Sequence, residues 1–257
     1  MFSNRKWACL LLCLLLPTGI ALAEPVELTV FAAASLTEAL TEIAEQYRAV
    51  APDVTISFNF DSSGTLKTQI EEGAPCDLFL SAAQKQMNQL EEMEAILPDS
   101  RVDLLENQVV LAVPEGNPKG IEAFADIAGA ELIALGNEDV PVGAYSIEIL
   151  THLGLLDALS AEGRITYGSN VKEVTTQIAE ASVDCGIIYA TDAASAGLTV
   201  VDAATAEMCS PVIYPAAVLA DSAEAQAAQA FLDYLTGDAA AQVFRSVGFA
   251  MVAPDGD

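Results

Sequence analysis

The sequence has little positive charge. Ten Lys and Arg stand against 37 Asp and Glu in 257 residues, a formal charge of −27. A field of that sign repels nucleic-acid phosphates and anionic membrane surfaces, which excludes a polyanion binder. The acids are spread along the chain and not gathered in a tail, so they read as a solvated surface. Histidine occurs once, at position 152, and no CxxC pair occurs, so the residues for a typical zinc site are missing. No bare-cation metal site and no cofactor is expected. There is no G-x-S-x-G elbow and no second histidine to activate a serine, and His152 lies near a predicted helix end; the chain is expected not to be an enzyme.

Long apolar runs are also scarce. One runs from Trp7 to Leu16, preceded by Arg5 and Lys6 and followed by Pro17, Gly19 and Ala21-Leu22-Ala23. This is the pattern of a secretory signal peptide over residues 1–23, cleaved after Ala23, because the run falls short of the ~20 apolar residues that span a bilayer. Cys13 sits inside the run and not just after small residues at the cleavage point, so no lipid anchor is expected and the mature protein is read as free in the periplasm. Cleavage removes two bases and no acid, taking the formal charge to −29. It also removes Cys9 and Cys13, leaving Cys76, Cys185 and Cys209, an odd number in an oxidising compartment. Free thiols acting as small buried hydrophobes are the expectation, with a Cys185–Cys209 bridge as the alternative.

What the chain does have is a 53% hydrophobic composition patterned into alternating strands and helices. Strands are expected at Glu27–Ala32, Val54–Phe60 and Asp77–Ser81, and a helix from Ser35 to Tyr47, where Ser35 and Glu38 form a capping box and Leu36, Leu40, Ile43 and Tyr47 a stripe. A helix from Thr65 stops at Gly73, and another carries Met87, Leu90 and Leu97. A long apolar strand, Asn107–Pro114, leads to Gly116-Asn117-Pro118, after which the alternation restarts. A helix is expected near Ile121, strands at Glu131–Leu135, Arg164–Tyr167 and Val183–Tyr189, and helices over Pro141–Gly154 and after Asn170. A return crossover follows at Pro211–Ala220, then two helices ending at Gly237 and Gly248. The class is α/β with mostly parallel sheets. The predicted division is lobe 1 over residues 24–107 plus 215–257 and lobe 2 over 108–214, with a ligand cleft between them.

The chemistry lies where strands turn into helices. Ser35, Ser62-Ser63-Gly64-Thr65, Pro141-Val142-Gly143 and Ser169-Asn170-Val171 each open a helix, and Glu173 completes a second capping box. Four helix starts facing one cleft would offer unpaired N–H groups and positive dipole ends, and so hold an anion without Lys or Arg. Taken singly, each is equally an ordinary cap or turn. Tyr189 ends a strand, at the side where α/β crevices bind ligands.

The series Phe31-Ala32-Ala33-Ala34-Ser35-Leu36, Ser62-Ser63 with Thr65-Leu66, Gly73-Ala74-Pro75 with Asp77-Leu78-Phe79, Val140-Pro141 with Gly143 and Tyr145, and Gly186-Ile187-Ile188-Tyr189 resembles the periplasmic molybdate-binding proteins of ABC transporters. The likeness runs from about Leu28 to Gly248. It implies a two-lobed type II periplasmic-binding fold joined by two crossover strands. It also implies a monomeric solute-binding protein that captures molybdate, and tungstate with it, and delivers it to a membrane permease. By position the implied donors are the hydroxyls and amides of Ser35 and Ser63, the amides of Val142 and Val171, and the Tyr189 hydroxyl. Val142 stands where the family often has Ala, and Gly64 replaces a third serine of some relatives. Asp61 departs further, since a carboxylate beside a dianion repels it unless it turns outward.

A donor-only site suits molybdate, which carries no proton at neutral pH, whereas hydrogen phosphate also needs an acceptor. Sulfate, being smaller, would be excluded only by cavity size, and tungstate is nearly isosteric with molybdate. Sulfate or phosphate binding is the alternative function, phosphate requiring Asp61 turned inward. Ferric iron or an organic anion is disfavoured by the scarcity of clustered Tyr, carboxylate and Arg at these motifs.

Overall fold

The computed structural model describes residues 25–253, and the expected signal peptide lies outside them. The chain opens with β1 (Val26–Ala33), and a 3-10 turn over Ala34–Leu36 hands it to α1 (Thr37–Tyr47). β2 (Val54–Asp61), α2 (Ser63–Glu71), β3 (Leu78–Leu80), α3 (Gln84–Glu92) and β4 (Val102–Asn107) follow. A second run holds β5 (Val109–Val113), a 3-10 turn over Phe124–Gly129, β6 (Ile133–Gly136), α4 (Pro141–His152) and α5 (Leu156–Ala161). It continues through β7 (Ile165–Gly168), α6 (Val171–Ala179), β8 (Cys185–Tyr189), α7 (Ala190–Ser195) and β9 (Thr199–Ala203). The last run is β10 (Val212–Val218), α8 (Ala225–Leu235), α9 (Asp238–Ser246) and β11 (Ala250–Met251).

The strands form two sheets, in the orders β11-β4-β10-β3-β1-β2 and β7-β6-β8-β5-β9, each flanked by helices. The α/β two-lobed class expected from the sequence is therefore the observed one. Both sheets are mixed and not mostly parallel as expected: β1 pairs parallel with β2 and β3, and β6 with β7 and β8, while β10 and β5, the strands at the crossovers, and β11 run antiparallel to their neighbours. The chain changes sheets after β4 and again before β10.

Period-two burial builds the first lobe. Leu28, Val30 and Ala32 of β1, with Leu78 and Leu80 of β3 and Ala216 and Val218 of β10, belong to the same buried cluster as Leu40 and Ile43 of α1 and Phe231 and Leu235 of α8. The intervening Phe31, Phe79 and Ala217 point the other way and pack with Leu66 of α2 and Met87 and Leu90 of α3. The final helices thus return to the first sheet, as their apolar positions require.

Three readings are corrected. The first α-helix starts at Thr37, not Ser35, and Ser35 makes no capping box: its hydroxyl lies 3.0 Å from that of Tyr214, and the Glu38 carboxylate bonds Lys172. A cross-sheet partner outcompetes the local cap. The strand expected at Asn107–Pro114 is β5 over Val109–Val113, and Asn107 instead ends β4, a strand the sequence reading did not place. The Asn107 side chain accepts the Gln108 N–H at 2.8 Å, a local side-chain-to-backbone bond that turns the chain between sheets. The helix expected near Ile121 is only the 3-10 turn at Phe124–Gly129, where Asp126 takes the amides of Glu122 and Ala123.

Cys76, Cys185 and Cys209 are free thiols, and burial pushes Cys76 and Cys185 up to about 12. His152 ends α4. Among the described residues no helix is long and apolar enough to cross a membrane, and no group of three or more His, Cys, Asp or Glu is placed to hold a metal ion.

Candidate binding site between the lobes

β1, β2 and β8 end at one point, and α4 and α6 begin there. The result is a small, tight pocket lined by Ser35, Ser63, Val171 and Tyr189, with Asp61, Ser62 and Pro141 beside them. Four of the five expected donor residues are thus brought together. Val142 is not among the lining residues, although the adjoining Val140 and Pro141 are. Pro141 occupies the first position of α4 and has no N–H, so the amide of Val142 is the first that helix offers. Gly143 permits this placement, because a Cβ there would lie 2.4 Å from the Gly136 carbonyl at the end of β6.

Each of these positions has a local cause. Ser62 caps α2, accepting the Thr65 N–H at 3.2 Å, which leaves Ser63 as the first residue of the helix. Ser63 is fully buried, and its hydroxyl oxygen accepts the Ala82 N–H at 2.9 Å, so the hydroxyl proton is free to donate elsewhere. Asn170 caps α6 by accepting the Glu173 N–H at 3.1 Å, while the Glu173 carboxylate takes the amide of Ser169 at 2.7 Å. The amide of Val171, at the first position of α6, has no acceptor within its own helix. Tyr189 is buried, its hydroxyl 3.4 Å from the Ala82 carbonyl, and desolvation holds its ionisation well above the usual range.

Asp61 also lines the pocket. Its Oδ1 accepts the Ser62 N–H at 2.7 Å, and the Asn170 amide reaches the same oxygen at 3.4 Å from the second lobe. One oxygen of the carboxylate is thus occupied by donors of the protein itself.

Two further contacts hold the lobes together. The Gly64 N–H donates to the Asp139 carbonyl at 2.9 Å, and a Cβ at position 64 would lie 2.5 Å from that oxygen, closer than real atoms approach. Gly64→Ala should therefore weaken ligand binding by about 1 kcal/mol, roughly fivefold, through impeded closure, with the ligand-free melting temperature unchanged. Calorimetric titration of the variant checks this. On the other side of the cleft, Lys172 of α6 reaches Glu38 of α1 at 2.8 Å and Asp192 of α7 at 3.1 Å. Asp192 is almost wholly buried, and desolvation raises its pKa to about 6 against the pull of Lys172. Sequence reasoning missed this ion cluster, as it missed Tyr214 and Asn107 behind Ser35. The partners lie far apart in the chain, and no local spacing announces them.

A two-lobed α/β molecule with helix starts and buried hydroxyls converging between its lobes is a solute-binding protein in form. Residues 28–250 match the family described as bacterial extracellular solute-binding protein, and the chain belongs to that family. It is 36% identical to the molybdate-binding protein ModA of Escherichia coli, over 91% of this chain and 92% of that one. With the ModA of Haemophilus influenzae it shares 35% identity, over 90% and 93%. The periplasmic molybdate-binding protein of Azotobacter vinelandii superposes with a TM-score of 0.79 at 26% identity, over 89% of this chain and all of that one.

Proposed function

We propose that this protein is the periplasmic receptor of an ABC transporter, capturing molybdate, and tungstate with it, between its lobes and delivering it to a membrane permease. In this reading residues 1–23 are removed after Ala23, the mature monomer is unanchored, lobe 1 comprises 24–107 plus 215–257, and lobe 2 comprises 108–214. The protein does no chemistry. Ser35 and Ser63 donate through hydroxyl and amide, Val142 and Val171 through amides, and Tyr189 through its hydroxyl.

The observation that carries the reading is the hydrogen-bonding character of the pocket lining. Ser63 is held as an acceptor by Ala82, its proton left for the ligand, and no Lys or Arg lines the site. Helix-start amides and hydroxyls of this kind match a fully deprotonated tetrahedral dianion. Closure follows from differential contact: an anion bonded to both lobes stabilises the closed form over the open one by the contacts that only the closed form makes.

Thermal unfolding with molybdate, tungstate, sulfate and phosphate in turn tests this. A ligand at 1,000 times its Kd adds about 4.1 kcal/mol, a rise of roughly 8 to 16 °C for a chain of this size. A rise with molybdate and tungstate, small or absent with sulfate, is expected; no rise with any of these anions would end the reading. Asp61 at the pocket wall favours phosphate as the second reading, because a carboxylate accepts the proton of hydrogen phosphate. In that case phosphate alone raises the melting temperature, and Asp61→Ala abolishes the rise.

A further inference from the structure

Behind Ser35 lies a chain of buried polar groups that the donor list does not include. Tyr214 of β10 is fully buried, its hydroxyl 3.0 Å from that of Ser35 and 3.2 Å from the Asn107 side-chain nitrogen. Asn107 ends β4, and its orientation is set by its neighbours. Its Oδ1 accepts the Gln108 N–H at 2.8 Å, so its Nδ2 faces inward and donates both to Thr191 Oγ1 at 2.9 Å and to Tyr214.

These bonds have one consistent direction. The Tyr214 oxygen accepts from Asn107, and of its two hydrogen-bond partners only Ser35 can accept in turn, so the buried Tyr214 O–H is satisfied only by donating to Ser35. The Ser35 oxygen then acts as an acceptor on that side, and its proton is the one left to point into the pocket. We propose that Asn107 and Tyr214 form a relay that polarises Ser35 as an obligate donor and so make the site discriminate against oxyanions that carry a proton. Tyr214 and Asn107 are positioning residues: neither lines the pocket, and both act through Ser35. Bonds aligned head to tail also polarise one another, which strengthens the last donor. Both residues belong to the two strands that connect the lobes, where Asn107 pairs with Val212. The relay is thus anchored in the part of the fold that joins one lobe to the other.

The inference rests on the oxyanion reading of the site. The decisive comparison is sulfate against hydrogen phosphate at about pH 8, because the two are similar in size and charge and differ in the proton. Their affinities are read by displacement of molybdate from the full mature chain. In Tyr214→Phe, Ser35 loses its internal donor and its oxygen becomes free to accept from the ligand. Molybdate should bind about tenfold more weakly, and the ratio of phosphate Kd to sulfate Kd should fall by about tenfold. Asn107→Asp reverses the relay: Tyr214 donates to the new carboxylate, Ser35 donates to Tyr214, and lone pairs face the pocket. There the ratio should fall further than in Tyr214→Phe.

Adding Asn107→Asp to Tyr214→Phe should leave the ratio where Tyr214→Phe alone put it. The added charge repels both dianions alike, and the relay is already cut. Ligand-free melting of each variant verifies folding, and Tyr214→Phe, which keeps the ring, decides the matter even if Asn107→Asp does not fold. A wild type that prefers molybdate, with an unchanged phosphate-to-sulfate ratio in Tyr214→Phe, would overturn the relay alone. A wild type that prefers phosphate to molybdate would overturn the functional reading and the relay together.

Discussion

Lys172→Met should destabilise the protein by about 3 kcal/mol at neutral pH, measured by urea unfolding. Among the described residues Lys172 is the only cation within 4 Å of Asp192, and that carboxylate is buried with no hydrogen-bond donor of good geometry on either oxygen. Removing one partner of such a pair strands the other charge, at about 3 to 5 kcal/mol. The lower figure applies because water still reaches the Lys172 side chain, which is 32% exposed. Lys172→Met combined with Asp192→Asn should recover most of the loss, since the stranded charge is then gone. The deficit of the single variant should also shrink as the pH falls from 7 through 6. The folded pKa of Asp192, already raised from 3.8 to about 6, rises further without Lys172, so the folded variant takes up a proton that the unfolded chain releases. Such a raised carboxyl costs stability above its folded pKa, and lowering the pH relieves that cost. An equal deficit at pH 7 and pH 5, or no recovery in the double variant, would contradict the assignment of Asp192 as the stranded charge.

Lys172 also spans the cleft to Glu38, whose pKa, raised by desolvation but more than offset by its bonds to Lys172, ends below the ordinary value. The same substitution should therefore weaken ligand binding as well, because that bridge between the lobes disappears. The pairing with Glu38 is exposed enough that its own share is small, on the order of 1 kcal/mol or less.

Ser63→Ala should produce two separable losses. Binding of molybdate should weaken by about 1.5 to 3 kcal/mol, the size of a hydrogen bond to a charged group, and calorimetric titration reads it directly. The ligand-free protein should also lose about 1 to 3 kcal/mol, because the Ala82 N–H, buried and bonded to Ser63 Oγ, is left without an acceptor. Ser63→Thr keeps the oxygen, but the added methyl has little room in a fully buried position, so it should restore neither the stability nor the affinity in full. An affinity unchanged in Ser63→Ala would remove Ser63 from the site.

Much of the frame was legible in the sequence. Val30 and Ala32 alternate with Phe31 because a strand has period two, and Leu40, Ile43 and Tyr47 recur as a helix requires, so strands and helices could be placed from spacing alone. The helix starts at Ser62-Ser63 and Asn170-Val171 were equally readable, because a cap is a contact over three residues. Four of the five expected donor residues converge on one pocket. Val142 stands just behind its lining, for it sits one residue inside α4 while Val140 and Pro141 form the wall.

What was misread involves competition between near and distant partners. The Ser35–Glu38 capping box is locally plausible, yet Ser35 bonds Tyr214, 179 residues away, and Glu38 bonds Lys172, 134 residues away. The change of sheets at Gln108, between β4 and β5, is similar in kind. Val109 and Val110 are as apolar as a continuous strand demands, and only their pairing with β8 and β9 assigns them to the second sheet.

By itself, the sequence determined the α/β class, the helix starts that offer an anion its donors, and the near absence of cations to do so instead. These depend on periodicity, capping and charge, which act over a few residues or over the whole composition. Only the tertiary structure decided that Ser35 meets Tyr214, which carboxylate needs Lys172 and where Gly64 meets Asp139. Each of these depends on groups more than 19 residues apart in the chain, held at hydrogen-bonding or ion-pair distance by the packing of two sheets, and no local pattern encodes such a meeting.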